Sequence, residues 1–106
     1  MSVPLYEAKA EFFRILGHPA RIRILELLSE RDHAVAELLE ALPATIAIEA
    51  SNLSQQLAVL RRSELVVSRR ENGRVIYSVA GADVRELLAT ARRILNRLGS
   101  QAVHSG

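Results

Sequence analysis

Most of the apolar residues in this chain recur at helical spacing, and a shorter stretch alternates as a strand does. Leu5, Ala8, Phe12, Ile15 and Leu16 share one side of a helix predicted over about Leu5–Leu16. Gly17-His18-Pro19 closes it, because glycine suits a C-terminal cap and proline suits the first turn of the next helix. That second helix, about Pro19–Glu30, is apolar over a wide arc (Ile22, Ile24, Leu25, Leu27, Leu28) and is expected at the centre. Arg31-Asp32-His33 reads as a polar, solvated break. Val35, Leu38, Leu39 and Leu42 then mark a third helix that Pro43 stops. The stretch from Pro43 to Ala50 has no clear period and reads as a loop or short extra turn. Ser51 is a good N-cap for a fourth helix reaching Arg62.

Beyond it the period changes from helix to strand. Val66–Arg70 and Val75–Val79 flank Asn72-Gly73, a strong two-residue hairpin signal, which sets Glu71 opposite Arg74 and Ser68 opposite Tyr77. Gly81-Ala82-Asp83 opens a last helix, with Asp83 and Glu86 at capping-box spacing. Its apolar residues Val84, Leu87, Leu88, Ala91, Ile94, Leu95 and Leu98 repeat nearly as a heptad. The expected class is mainly α with a small β-hairpin: a winged helix-turn-helix in the order α1-α2-α3-α4-β-wing-α5. Residues 1–99 form one domain, and 100–106 read as a flexible tail.

Composition narrows the picture. At 106 residues, with 49% hydrophobic and only 4% aromatic residues, a single aliphatic core is expected, which favours packed helices over a sheet sandwich. With no cysteine, disulfides and thiolate metal sites are excluded. Met1–Ala10 does not pattern as a secretion signal, and no apolar run approaches a membrane span. A cytoplasmic protein with no membrane partner is therefore expected.

The net charge of +2 is too small to argue for nucleic acid by itself, but its distribution is informative. Between Ser51 and Arg74 lie Arg61, Arg62, Arg69, Arg70 and Arg74 against only Glu64 and Glu71, while the acids concentrate between Glu7 and Glu49. Lys9 is the only lysine, so the positive charge is nearly all guanidinium, suited to bidentate phosphate or guanine contacts. A GC-rich genome would give the same preference for arginine; it would not explain the clustering.

With Leu53, Leu57 and Leu60 turned inward, the fourth helix directs Ser51, Gln55, Ala58, Val59 and Arg62 outward, with Asn52, Ser54 and Arg61 on the flanks. Its first ten positions carry no charge. Ser51, Asn52, Ser54 and Gln55 fall on the half that touches base edges in a helix-turn-helix, and amides and hydroxyls can pair there. Arg61 and Arg62 suit phosphates or a pairing with Glu64. Near the wing tip Arg69, Arg70, Asn72 and Arg74 complete the candidate DNA contacts. Strand alternation puts Arg70 on the face opposite Arg69 and Arg74, and Arg74 has the alternative of pairing with Glu71.

The first and last helices offer more apolar surface than one small core needs. A homodimer is expected, buried through Leu5, Ala8, Phe12, Leu87, Leu88, Ala91, Ile94, Leu95 and Leu98. The alternative is that both helices wrap their own core. Two copies would place two reading helices about one DNA turn (~34 Å) apart on an inverted repeat.

In these segments the chain resembles the ArsR/SmtB-type winged-helix repressors. The matching pieces are Leu16-Gly17-His18-Pro19-Ala20-Arg21-Ile22-Arg23-Ile24-Leu25, Val35-Ala36-Glu37-Leu38, Ser51–Leu60 and Gly73-Arg74-Val75-Ile76-Tyr77, spanning most of residues 12–80. The resemblance implies a homodimer, held by the first and last helices, that represses transcription until an effector releases it from its operator. Two departures stand out. The link from Leu42 to Ser51 is several residues longer than the family's tight turn. Where many members carry Cys-Val-Cys this chain has Ala34-Val35-Ala36, and its last helix lacks the histidine of zinc-sensing members.

His18 sits in the family's Gly-His-Pro turn, where a structural role is expected. Asp32 and His33 could make a weak ligand pair, although a solvated break is the expectation, and His104 lies in the tail. No set of three or four convergent ligands can be assembled, so no metal or other cofactor is expected. No catalytic residues are expected either: neither a Ser-His-Asp set nor a phosphate-cradling glycine loop is present. The residues name no effector. The leading reading is a sequence-specific, dimeric DNA-binding repressor; the alternative is a winged helix used for protein–protein contact with little DNA affinity.

Overall fold

The computed structural model describes residues 2–46 and 50–99. The fold consists of five helices, α1 (Leu5–Leu16), α2 (Pro19–Glu30), α3 (Val35–Ala41), α4 (Ala50–Arg62) and α5 (Ala82–Arg97), and a three-stranded antiparallel sheet among the described residues. Its strands are β1 (His33–Ala34), β2 (Val66–Glu71) and β3 (Arg74–Val79), in the spatial order β1-β3-β2. A short 3-10 turn, Ala44–Ile46, follows α3. The readings of 47–49 as part of a longer link, of 100–106 as a tail and of His104 fall outside the described residues.

The core forms where the apolar stripes of α2, α3 and α4 meet. Ile24, Leu25, Leu28, Leu38, Leu53, Leu57 and Leu60 lose all contact with solvent, and Val66, Val79 and Val84 close the assembly from the hairpin and α5. Each fully buried aliphatic side chain contributes roughly 1.5–3 kcal/mol by its removal from water. α2 is central, as its wide apolar arc predicts. α1 and α5 only half cover it, through Phe12, Ile15, Leu87 and Leu88.

The hairpin register follows from its turn. Asn72 (φ 51°) and Gly73 (φ 76°) both take left-handed backbone, the signature of a two-residue turn whose twist matches that of the strands. Glu71 pairs Arg74 and Ser68 pairs Tyr77, as the turn dictates.

Three expectations are corrected. His33 is buried (3% exposed) rather than part of a solvated break: it belongs to β1, which pairs His33 with Tyr77 and Ala34 with Ile76, and its Nδ1 lies 2.8 Å from the Arg31 carbonyl. α4 already includes Ala50, so Ser51 stands inside the first turn instead of capping it. Gly81, not Asp83, caps α5: its extended backbone places its carbonyl 3.2 Å from the Val84 N–H. The Asp83 carboxylate folds back over Gly81, to within 2.9 Å of where a Cβ would stand, so the glycine makes room for it. Inside the first turn that acid still faces the positive end of the helix dipole.

Candidate nucleic-acid interface

The exposed edge of α4 exists because its opposite side is fully committed. With Leu53, Leu57 and Leu60 at 0% exposure, the helix cannot roll, and Ser51, Asn52, Ser54 and Gln55 stand exposed as an uncharged strip. Ala58 and Val59, expected to point outward, are half-buried. Arg61 and Arg62 follow in the last turn, exposed, where cations complement the negative end of the helix dipole. Neither pairs with Glu64, whose own backbone is left-handed (φ 60°).

A groove runs between α4 and the hairpin, lined by Ser54, Ala58, Arg61, Arg62 and Tyr77. Tyr77 therefore belongs to the surface beside that exposed edge, although no sequence signal beyond its place in β3 points to it. Ladder alternation puts Arg70 on the same sheet face as Tyr77, and Arg69 and Arg74 on the other.

The two wing faces differ in how their arginines are engaged. Arg69 is held on three sides: Nη1 donates to Asp32 Oδ2 at 2.8 Å and to Ser78 Oγ at 3.0 Å, and Nε donates to Glu71 Oε2 at 2.9 Å. The Arg69 hydrogen bond, helped by the Ser78 hydroxyl, holds the Asp32 carboxyl below its usual value, and reciprocally the Asp32 contact raises that of Arg69. The pairing considered for Arg74 with Glu71 is thus taken by Arg69 instead. The guanidiniums of Arg61, Arg62, Arg70 and Arg74 make no hydrogen bond or ion pair among the described residues. Asn72, at the tip, is exposed.

At the base of the wing, Glu37 accepts the Ala34 N–H at 2.8 Å, which lowers its carboxyl pKa and secures the start of α3. On the far side of α4, Arg21 Nε donates to Gln56 Oε1 at 2.7 Å. The sequence singles out Asn52 and Gln55 but not Gln56, whose only signal is its position one turn after Asn52.

The apolar residues expected between two copies divide into two groups. Leu5, Ala8, Ala91, Ile94, Leu95 and Leu98 are exposed, Leu5 and Leu98 by about two-thirds of their surface (68% and 67%). Phe12, Leu87 and Leu88 are half-buried against the core. Val3, Tyr6 and Phe13 extend the exposed apolar surface beyond the expected set. The radius of gyration, 14.7 Å, exceeds the ~13 Å of a globular domain of this length.

His18 caps α2 from an extended conformation, and its buried Nδ1 has no hydrogen-bond partner among the described residues. Asp32 is engaged by Arg69 rather than by His33. Among the described residues no three His, Asp or Glu side chains gather as metal ligands, and no helix is long and apolar enough to cross a membrane.

Comparison with known proteins agrees with this geometry. A helix-turn-helix domain family model matches residues 16–69. The chain is 57% identical over 102 residues to an uncharacterized HTH-type transcriptional regulator of Mycobacterium tuberculosis, covering 96% of this chain and 87% of that protein. The crystal structure of a Mycobacterium tuberculosis protein superposes with a TM-score of 0.83 at 56% identity, covering 97% of this chain and 100% of the other. A transcriptional repressor SmtB homolog of Synechocystis is 34% identical over 87 residues, covering 82% of this chain and 63% of the repressor. The solution structure of a homodimeric winged helix-turn-helix DNA-binding domain from Mycobacterium bovis, a possible ArsR-family regulator, superposes with a TM-score of 0.76 at 27% identity over 95% of this chain and 91% of that one.

Proposed function

The chain belongs to the ArsR/SmtB-type winged helix-turn-helix transcriptional regulators, which are not enzymes, and from that premise we propose that it acts as a homodimeric repressor of an inverted-repeat operator. One observation carries the reading: α4 bears an exposed, uncharged strip, Ser51 to Gln55, followed by the exposed Arg61 and Arg62, and the hairpin adds the exposed Arg70 and Arg74, none of the four making a hydrogen bond or ion pair among the described residues. The strip suits base edges in a major groove, and the cations suit the flanking phosphates. Arg69, held by Asp32 and Glu71, acts as a brace for the wing in this reading.

The homodimeric state of the Mycobacterium bovis domain and the exposed stripe Ile94, Leu95 and Leu98 support pairing through α5 together with α1. Leu95→Glu is then expected to give monomers in analytical ultracentrifugation and to abolish binding to a two-half-site operator. Repression is supported by the relatives named as repressors, and the binding of the operator is the step it would act through.

Selection of genomic fragments by the purified protein tests the whole. Enrichment of an inverted repeat, with half-site centres about 10 bp or a multiple of that apart, is the expected result. Gln55→Ala should relax preference at one base pair, whereas Arg74→Ala should weaken all sequences together. No enrichment in low salt would instead favour a protein-interaction role.

A further inference from the structure

Gln56 stands on α4 between the buried leucines and the reading edge, half-exposed, and its amide differs from that of Gln55 in one respect. It is oriented by the fold. Arg21 Nε donates to Oε1 at 2.7 Å, and Arg21 Nη1 is itself fixed by the Ile15 carbonyl at 3.1 Å, in the last turn of α1. A guanidinium has donors and no acceptor, so the amide atom facing Arg21 has to be the oxygen; the flipped amide would oppose N–H to N–H. The NH2 group is left facing away from Arg21, with no hydrogen-bond partner among the described residues. Gln56 lines a notch with His18, Thr45 and Asn52, and Asn52 also belongs to the exposed strip.

We propose that Gln56 is a DNA-contacting residue that offers one fixed N–H donor to an acceptor atom of the duplex, with Arg21 as the positioning residue that keeps the donor outward. This rests on α4 being the helix that reads DNA. The fixed orientation has a chemical consequence. A glutamine with both amide atoms free to turn can bridge adenine N6 and N7, whereas one whose oxygen is held by Arg21 presents its N–H on the other side and favours an acceptor. The outward N–H of Gln56 therefore suits an acceptor: a phosphate oxygen, a purine N7, guanine O6 or thymine O4.

The test uses the full chain and the duplex enriched by genomic selection, with affinity measured by fluorescence anisotropy at constant salt and stability by thermal melting. Gln56→Glu keeps an oxygen for Arg21 but replaces the donor with an acceptor, and Gln56→Met removes the donor without adding charge. Both variants are expected to lose about tenfold in affinity per half-site, equivalent to ~1.4 kcal/mol, while Gln56→Glu melts no lower than the wild type. A loss equal for all sequences identifies a phosphate as the acceptor, and a loss confined to one base pair identifies a base edge.

Arg21→Met, which frees the amide to rotate, should alter the binding in the same respect, and Arg21→Lys, which can still donate to Oε1, should restore it. Operator affinity within about twofold of wild type for the folded Gln56 variants would overturn the proposal, because a glutamine that only braces Arg21 predicts that result. If the wild type itself bound no duplex, the reading of α4 would fail first, and the two failures are thus separable.

Discussion

Replacing Arg69 and Arg70 one at a time separates two neighbours whose surroundings differ and to which the proposed function gives opposite roles. Arg70 makes no hydrogen bond or ion pair among the described residues, whereas Arg69 is held by Asp32, Glu71 and Ser78. If Arg61, Arg62, Arg70 and Arg74 each neutralise one phosphate in both copies of a dimer, log K should fall against log[salt] with a slope of about −7. Between about 50 and 200 mM salt that slope lowers affinity by roughly four orders of magnitude. Arg70→Ala removes two contacts per dimer and should flatten the slope to about −5.5. Arg69→Ala should lower affinity, because it leaves Asp32 and Glu71 uncompensated at the wing, yet keep the slope near −7. Anisotropy titrations at five or six salt concentrations (on the order of the range above) suffice to measure both. Equal flattening by the two substitutions would refute the division, and a wild-type slope of about −2 or shallower would refute phosphate contact by the cluster as a whole.

Three further outcomes follow from the fold. Leu57→Ala, at a site with no solvent exposure, should destabilise by about 3 kcal/mol or more in denaturant unfolding, and a loss below ~1 kcal/mol would mean that the core is not packed as described. Gly73→Ala meets no steric obstacle, since nothing lies within 4 Å of the added carbon, so any cost must come from its φ of +76°; roughly 1–2 kcal/mol is expected. Asp32 has a lowered folded pKa, so its contribution is complete above the unfolded value near ~4 and is lost as pH falls through the folded one. The wild type should therefore be more stable than Asp32→Asn at neutral pH, with melting curves converging on acidification, and a gap that persists at low pH would remove Asp32 as its source.

The limits of α1 and α2 and the register of the hairpin were legible because each rests on local chemistry: Gly17 and Pro19 at one junction, Asn72-Gly73 at the other. The buried face of α4 was legible for a similar reason, since three leucines at helical spacing leave one way to pack. β1 was not. Two residues cannot show a period, and His33-Ala34 is a strand only because β3 runs beside it. The engagement of Arg69 was hidden for the same reason, as Asp32 lies 37 positions away. Gln56 could be placed near the strip from a helical wheel, but its fixed amide depends on Arg21, which only the folded chain brings to it. Asp83 shows the converse case: the local capping pattern was present, and Gly81 took the role because a residue without a side chain lets the carboxylate fold back.

The short β1 strand has one more implication. β1 pairs β3 with the segment between α2 and α3, and the Arg69–Asp32 ion pair lies beside it, so the base of the wing is tied to the helices. Such a protein holds its helix and its wing at a set span, like the jaws of a caliper. If both engage one duplex as proposed, a duplex whose minor-groove width or bend does not suit that span would have to deform, and sequence steps that neither jaw touches would still influence affinity through their flexibility.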